Sequence, residues 1–75
     1  MKLKNATEFG KLIHQCRKKA KLTQSQLAAA AGIGDRFVRE LEKGKPTCQL
    51  EKALHVAALL GIKFDATLPP SNSGY

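Results

Sequence analysis

The stretch from Leu22 to Gly44 constrains this chain most, because it carries two complete helix signatures with almost no room between them. Thr23-Gln24-Ser25-Gln26 has the form of a capping box, in which the Thr23 hydroxyl accepts the third helical N–H and the Gln26 side chain returns to the Thr23 backbone N–H. Leu22 and Leu27 have the spacing of a hydrophobic staple, which fixes the angle at which the chain enters the helix. A short helix is therefore predicted from Gln24 through Leu27 and the four alanines that follow, stopping near Gly32. Only Ile33-Gly34 separates it from a second helical pattern that begins at Asp35. There Phe37, Val38 and Leu41 share one side while Arg36, Arg39, Glu40 and Lys43 share the other. Gly44 ends this pattern and Pro46 prevents its continuation.

The flanking segments extend the helical reading. Phe9, Leu12, Ile13, Cys16 and Ala20 form an amphipathic stripe with Lys11, Arg17, Lys18 and Lys21 largely outside it, and Thr7 is the expected N-cap. Residues 1–6 read as a flexible arm. A fourth helix is expected to open at Thr47, bury Leu50, Ala53, Leu54, Ala57 and Ala58, and stop at Gly61. After Gly61 the period changes: Ile62, Phe64, Ala66 and Leu68 alternate with Lys63, Asp65 and Thr67, the two-residue period of a strand. Pro69-Pro70 ends it, and residues 69–75 read as a disordered tail. The expected fold class is all-α, a four-helix domain over 7–61 followed by a short β-strand over 62–68. A single strand leaves its backbone groups unpaired, and the chain contains no second strand to answer it. The remedy is the same strand of a second copy, so a homodimer is expected with Ile62, Phe64, Ala66 and Leu68 at its interface.

Composition removes several classes of function. Residues 1–45 hold eleven of the thirteen Lys and Arg but four of the six acids, so the whole net charge of +7 lies in the first part of the chain, before the fourth helical segment. A one-sided basic field of this kind attracts polyanions, nucleic acid first. No apolar run approaches the ~20 residues of a membrane span, and no signal-peptide pattern opens the chain, so a cytoplasmic protein is expected. Cys16 and Cys48 lack the paired spacing of a zinc site and are expected to be small, half-buried apolar groups. His14 and His55 read as surface side chains, and nothing resembles a nucleophile with its base. Neither an enzyme, a metal nor a cofactor is expected.

Two short helices joined by a tight glycine-containing turn form a helix-turn-helix, whose second helix enters the major groove of DNA. The outward stripe of the second helix suits base reading, since Arg binds guanine through two hydrogen bonds and an acid accepts from the cytosine amino group. The competing reading is a solvated, salt-bridged helix surface in which Arg36–Glu40 is an ordinary i, i+4 pair.

The runs Leu22-Thr-Gln-Ser-Gln-Leu-Ala and Ala31-Gly-Ile-Gly-Asp-Arg-Phe-Val-Arg-Glu-Leu-Glu-Lys-Gly-Lys-Pro-Thr47 resemble the core of the Cro and lambda-repressor (XRE) family. The segment from Phe37, with the strand after Gly61, is most similar to its HipB-like antitoxin branch. The resemblance covers about residues 7–68 and implies a lambda-repressor-like domain with base-reading residues Asp35, Arg36, Arg39 and Glu40. It further implies phosphate contacts from Thr23, Gln24, Lys43, Gly44 and Lys45, and a supporting pair of Arg17 with Glu42. The expected partners are double-stranded operator DNA, a second copy of the chain and, in the antitoxin branch, a HipA-like kinase toxin. The expected function is transcriptional repression. The alternatives are a stand-alone or phage-type regulator without a toxin and, from another class, a basic module that binds protein or RNA.

Overall fold

The computed structural model describes residues 5–64, and these form four helices: α1 (Ala6–Lys19), α2 (Gln24–Ala31), α3 (Asp35–Glu42) and α4 (Leu50–Leu59). Helix α3 packs against both α1 and α2, and α2 packs against α4. Ile13, Leu27, Val38 and Val56, one from each helix, are the largest fully buried side chains. Leu41 and the alanines Ala28, Ala31, Ala53 and Ala57 complete the core, and the small alanines let α2 and α4 approach closely. Phe37 is half-buried on the same side of α3 as Val38 and Leu41, with Lys52 from α4 over its ring at 5.9 Å.

Helix α1 begins earlier than Thr7. Asn5 is its N-cap, its side-chain oxygen accepting the Glu8 backbone N–H at 2.9 Å. Thr7 is already helical and lies under Gly44: a Cβ added to Gly44 would sit 2.7 Å from the Thr7 Cα. Since Gly44 also has φ +84°, that position accepts no side chain without strain. At α2 both halves of the capping box are formed, with Gln26 N–H to Thr23 Oγ1 at 3.0 Å and Thr23 N–H to Gln26 Oε1 at 2.8 Å.

The fourth helix departs from the sequence reading at its start and in its face. It opens at Leu50, with Gln49 as N-cap, rather than at Thr47. Residues 46–49 are used instead to turn the chain after α3. The buried stripe is Ala53, Val56 and Ala57, whereas Leu50 and Leu54 are 68% and 43% exposed and Ala58 is exposed. Among the described residues no strand forms. Ile62 packs half-buried on the core, and Phe64 remains half-exposed, with its ring edge-on to Phe9 at 6.0 Å. Ala66, Leu68, the expected tail and most of the expected arm lie outside the described residues.

All four helices close with the same bond, in which an N–H one residue beyond a left-handed position returns to a carbonyl five residues back. The donors are Leu22, Ile33, Lys45 and Ile62. Three of the left-handed positions are glycines; the first is Lys21, at φ +61°. A side chain there costs about 1 kcal/mol, part of which glycine recovers after its own loss of chain entropy. Lys21→Gly is therefore expected to raise Tm by about 3–6 °C in a thermal melt followed by circular dichroism.

Candidate nucleic-acid interface

The site is built on the turn between α2 and α3, which the Ile33 N–H to Ala28 carbonyl bond (3.0 Å) and the Phe37 N–H to Gly34 carbonyl bond (3.1 Å) hold at both ends. With Val38 and Leu41 buried, the 3.6-residue period turns Asp35, Arg36, Arg39 and Lys43 outward, and all four are exposed. Thr23 and Lys45 are also exposed, while Gln24, Glu40 and Gly44 are half-buried. On α1, Lys11, Lys18 and Lys19 are exposed as well.

These residues are not equally free. Glu40 is held between two cations, with Arg36 Nε at 3.2 Å on one carboxylate oxygen and Lys45 Nζ at 3.2 Å on the other. The Lys45 hydrogen bond is the largest influence on the Glu40 carboxyl, and together with Arg36 it holds the carboxyl below its ordinary range despite some desolvation. The i, i+4 pair of the competing reading is thus present. Arg39 and Lys43 have no side-chain hydrogen bond or ion pair within the described residues. Asp35 accepts a hydrogen bond from the Ser25 hydroxyl, a contact that joins the first turns of α2 and α3.

Beneath this surface lies a polar network centred on Glu42, whose side chain is 5% exposed. Arg17, the buried charge of α1, donates Nε to Glu42 Oε2 at 2.6 Å, Nη2 to Oε1 at 3.1 Å and Nη1 to the Leu22 carbonyl at 2.8 Å. Gln24 donates its amide to Glu42 Oε1 at 3.1 Å, so one of its two amide protons faces inward. His14, read from sequence as a surface residue, is half-exposed but belongs to the network. Its Nδ1 stands 2.9 Å from Glu42 Oε1 and 3.2 Å from Arg17 Nη2, so it donates to the first when protonated there and accepts from the second when not. Burial pushes the Glu42 carboxyl up, but the hydrogen bonds from Arg17, His14 and Gln24 outweigh it, and the carboxyl stays below its ordinary range. The network ties α1, the start of α2 and the end of α3 together.

Cys16 and Cys48 are free thiols, both half-buried. Among the described residues there is no group of His, Cys, Asp or Glu able to hold a metal ion, and no helix long and apolar enough to cross a membrane.

A family model described as "Helix-turn-helix" matches residues 13–66, most of the chain. The chain belongs to the helix-turn-helix family of transcriptional regulators. It is 41% identical over 68 residues to the uncharacterized HTH-type transcriptional regulator y4mF of Sinorhizobium fredii, covering 91% of this chain and 90% of that one. Two solved structures share the helix-turn-helix fold closely. A complex of a HipB variant with the O2 20mer superposes with a TM-score of 0.81 at 18% identity, covering 89% of this chain and 93% of that one. A HipB complex with the O4 20mer superposes with a TM-score of 0.80 at 19% identity, covering 89% and 94%.

Proposed function

We propose that this chain represses transcription by binding operator DNA as a homodimer, with α3 in the major groove. The observation that carries the reading is the outward face of α3. Arg39 and Lys43 stand there without intramolecular partners among the described residues, directly after a capped helix and a fixed turn, in a chain of net charge +7. Arg39 and Asp35 would read base edges, with Arg36 and Glu40 doing so by sharing or opening their mutual pair. Thr23, Gln24, Lys43, Gly44 and Lys45 would face phosphates. Thr23 suits this because its hydroxyl accepts from Gln26 and keeps its proton to donate.

Binding of a duplex selected by the wild-type protein from a randomised pool, measured against salt, tests the reading. With ~3–5 phosphate contacts per subunit, the log–log slope for a dimer is expected near −5 to −9. Arg39→Ala is expected to cost about 1–3 kcal/mol and relax preference at one base position. Lys43→Ala should weaken all sequences about equally and flatten the slope by roughly one unit per subunit. Neither truncation breaks a bond within the described residues. A slope near zero, or selection of an RNA or an acidic protein in place of duplex DNA, overturns the reading.

The dimer is supported by an apolar groove of about 390 Å³, which Phe9, Leu41, Leu50, Leu54 and Phe64 help to line. Phe64 and the two leucines Leu50 and Leu54 are unusually exposed for their type, and Phe64 belongs to the alternating segment 62–68. Phe64→Asp is expected to shift the protein from dimer to monomer in sedimentation and to weaken duplex binding strongly, because two half-sites are no longer held about one DNA turn apart. An intact dimer would place the interface elsewhere.

The HipB-like build supports the finer role of antitoxin and autorepressor beside a HipA-like kinase. Retention of such a kinase, encoded next to this chain, on the tagged protein is expected. Its absence leaves the stand-alone regulator.

A further inference from the structure

Ser25 has no duty in its own helix. The capping box of α2 uses Thr23 and Gln26, and Ser25, between them, is exposed. Its hydroxyl instead donates to Oδ2 of Asp35, the first residue of α3. Arg36, the cation next to Asp35 in sequence, is turned to Glu40, so Ser25 is the only side chain that holds the Asp35 carboxylate among the described residues. The contact is not needed to shape the turn, which two backbone hydrogen bonds already fix. An exposed hydroxyl–carboxylate bond largely replaces bonds to water and adds little to stability. What it does change is the chemistry presented outward. With its proton committed to Oδ2, the Ser25 oxygen offers only lone pairs, and Oδ1 of the ionised Asp35 likewise only accepts.

We propose that Ser25 is a positioning residue for base recognition: it fixes the Asp35 carboxylate and forms with it an acceptor-only pair that takes the exocyclic amino group of adenine or cytosine. Thymine O4 and guanine O6 and N7 are acceptors and are repelled at that place. Every base pair shows one amino group in the major groove, so the selection is by strand: A or C, and not G or T, on the contacted strand. This rests on the reading that α3 lies in the major groove.

The experiment selects duplexes from a randomised 20-base-pair pool with the full-length wild-type protein, Ser25→Ala, Ser25→Thr, Asp35→Ala and the double alanine variant. The wild type is expected to show A or C at one position of each half-site. Ser25→Ala is expected to reduce discrimination there about tenfold, leaving the other positions, the salt slope and Tm unchanged. Ser25→Thr restores the preference, and the double variant equals Asp35→Ala alone. Additive effects of the two alanine substitutions would mean that Ser25 acts on DNA independently of Asp35. An equal loss at all positions would make it a phosphate contact. Either result overturns the proposal, as does G or T at the position lost in Asp35→Ala. If Ser25→Ala selects the wild-type sequence unchanged, only this inference falls; if the wild type enriches no duplex, the DNA reading falls with it.

Discussion

Replacing Gly10 by Ala is expected to unfold this protein at temperatures where the wild type is stable, although helix propensity alone favours the change. Gly10 lies in the middle of α1, where Ala ordinarily gains about 0.4–1 kcal/mol. Here, however, a Cβ would sit 2.5 Å from the Leu41 carbonyl oxygen and 2.7 Å from that of Glu42. Both obstacles are backbone at the C-terminal end of α3, and they cannot move aside as a flexible side chain can. Helices α1 and α3 must separate, which loosens Ile13 and Leu41 and stretches the Arg17–Glu42 contact between the same two helices. Overpacking typically costs 1–3 kcal/mol and more against backbone, so a net loss of about 3 kcal/mol is expected, with Tm lower by about 12–24 °C. Gly34→Ser is the control. A Cβ there meets nothing within 4 Å, and the serine supplies the side-chain cap that α3 lacks. If Gly10→Ala melts like the wild type, α1 and α3 are not in backbone contact and the frame of the interface is different.

The part of the fold that lies in short sequence windows is legible. The capping box, the staple and the spacing of Gly32, Gly34 and Gly44 are local devices, and they fix α2, the turn and α3 to within a residue. Helix α4 is harder because Leu50, Ala53, Leu54, Val56, Ala57, Ala58 and Leu59 leave it apolar on nearly every side. Periodicity cannot choose a face on such a helix; the fit against α2 does, and it selects Val56 over Leu54 and Ala58. The choice between Asn5 and Thr7 as cap is also tertiary, since both side chains suit the role and the packing of Gly44 on Thr7 keeps the latter within the helix.

The candidate site divides in the same way. That Asp35, Arg36, Arg39 and Lys43 face outward follows from the burial of Val38 and Leu41 alone. Which of them are engaged does not. The clamp of Glu40 by Arg36 and Lys45, the inward turn of the Gln24 amide and the Ser25–Asp35 bond depend on how two helices meet. Gly10 leaves no trace in the pattern, because a glycine within an amphipathic stripe has no periodic signature. His14 escapes the pattern for a related reason: its partner Glu42 is 28 residues away, and no spacing connects them.

Removing the charge of Glu42 is expected to be as damaging as crowding Gly10, but through electrostatics. In Glu42→Gln the side-chain shape is kept, yet the Arg17 guanidinium, 8% exposed, is left with neutral partners such as the Leu22 carbonyl. Breaking a buried ion pair from one side costs about 3–5 kcal/mol, against a total of roughly 4–11 kcal/mol for a chain of this length. Tm is therefore expected to fall by at least about 12 °C. The pH dependence separates this cause from lost packing. The Glu42 carboxyl lies below its ordinary value in the folded state, so its contribution is fully present above the unfolded carboxylate range, near pH ~4.3, and is lost as pH falls through the folded value. The gap in Tm between wild type and Glu42→Gln should consequently narrow in melts below about pH 4, whereas a packing defect would keep it constant. Because Glu42 lies under the interface and not on it, Glu42→Gln should bind selected duplex with near wild-type selectivity at low temperature, where it is folded. A change in base preference under those conditions would mean that the network sets the orientation of α3 on DNA in addition to holding the helices together.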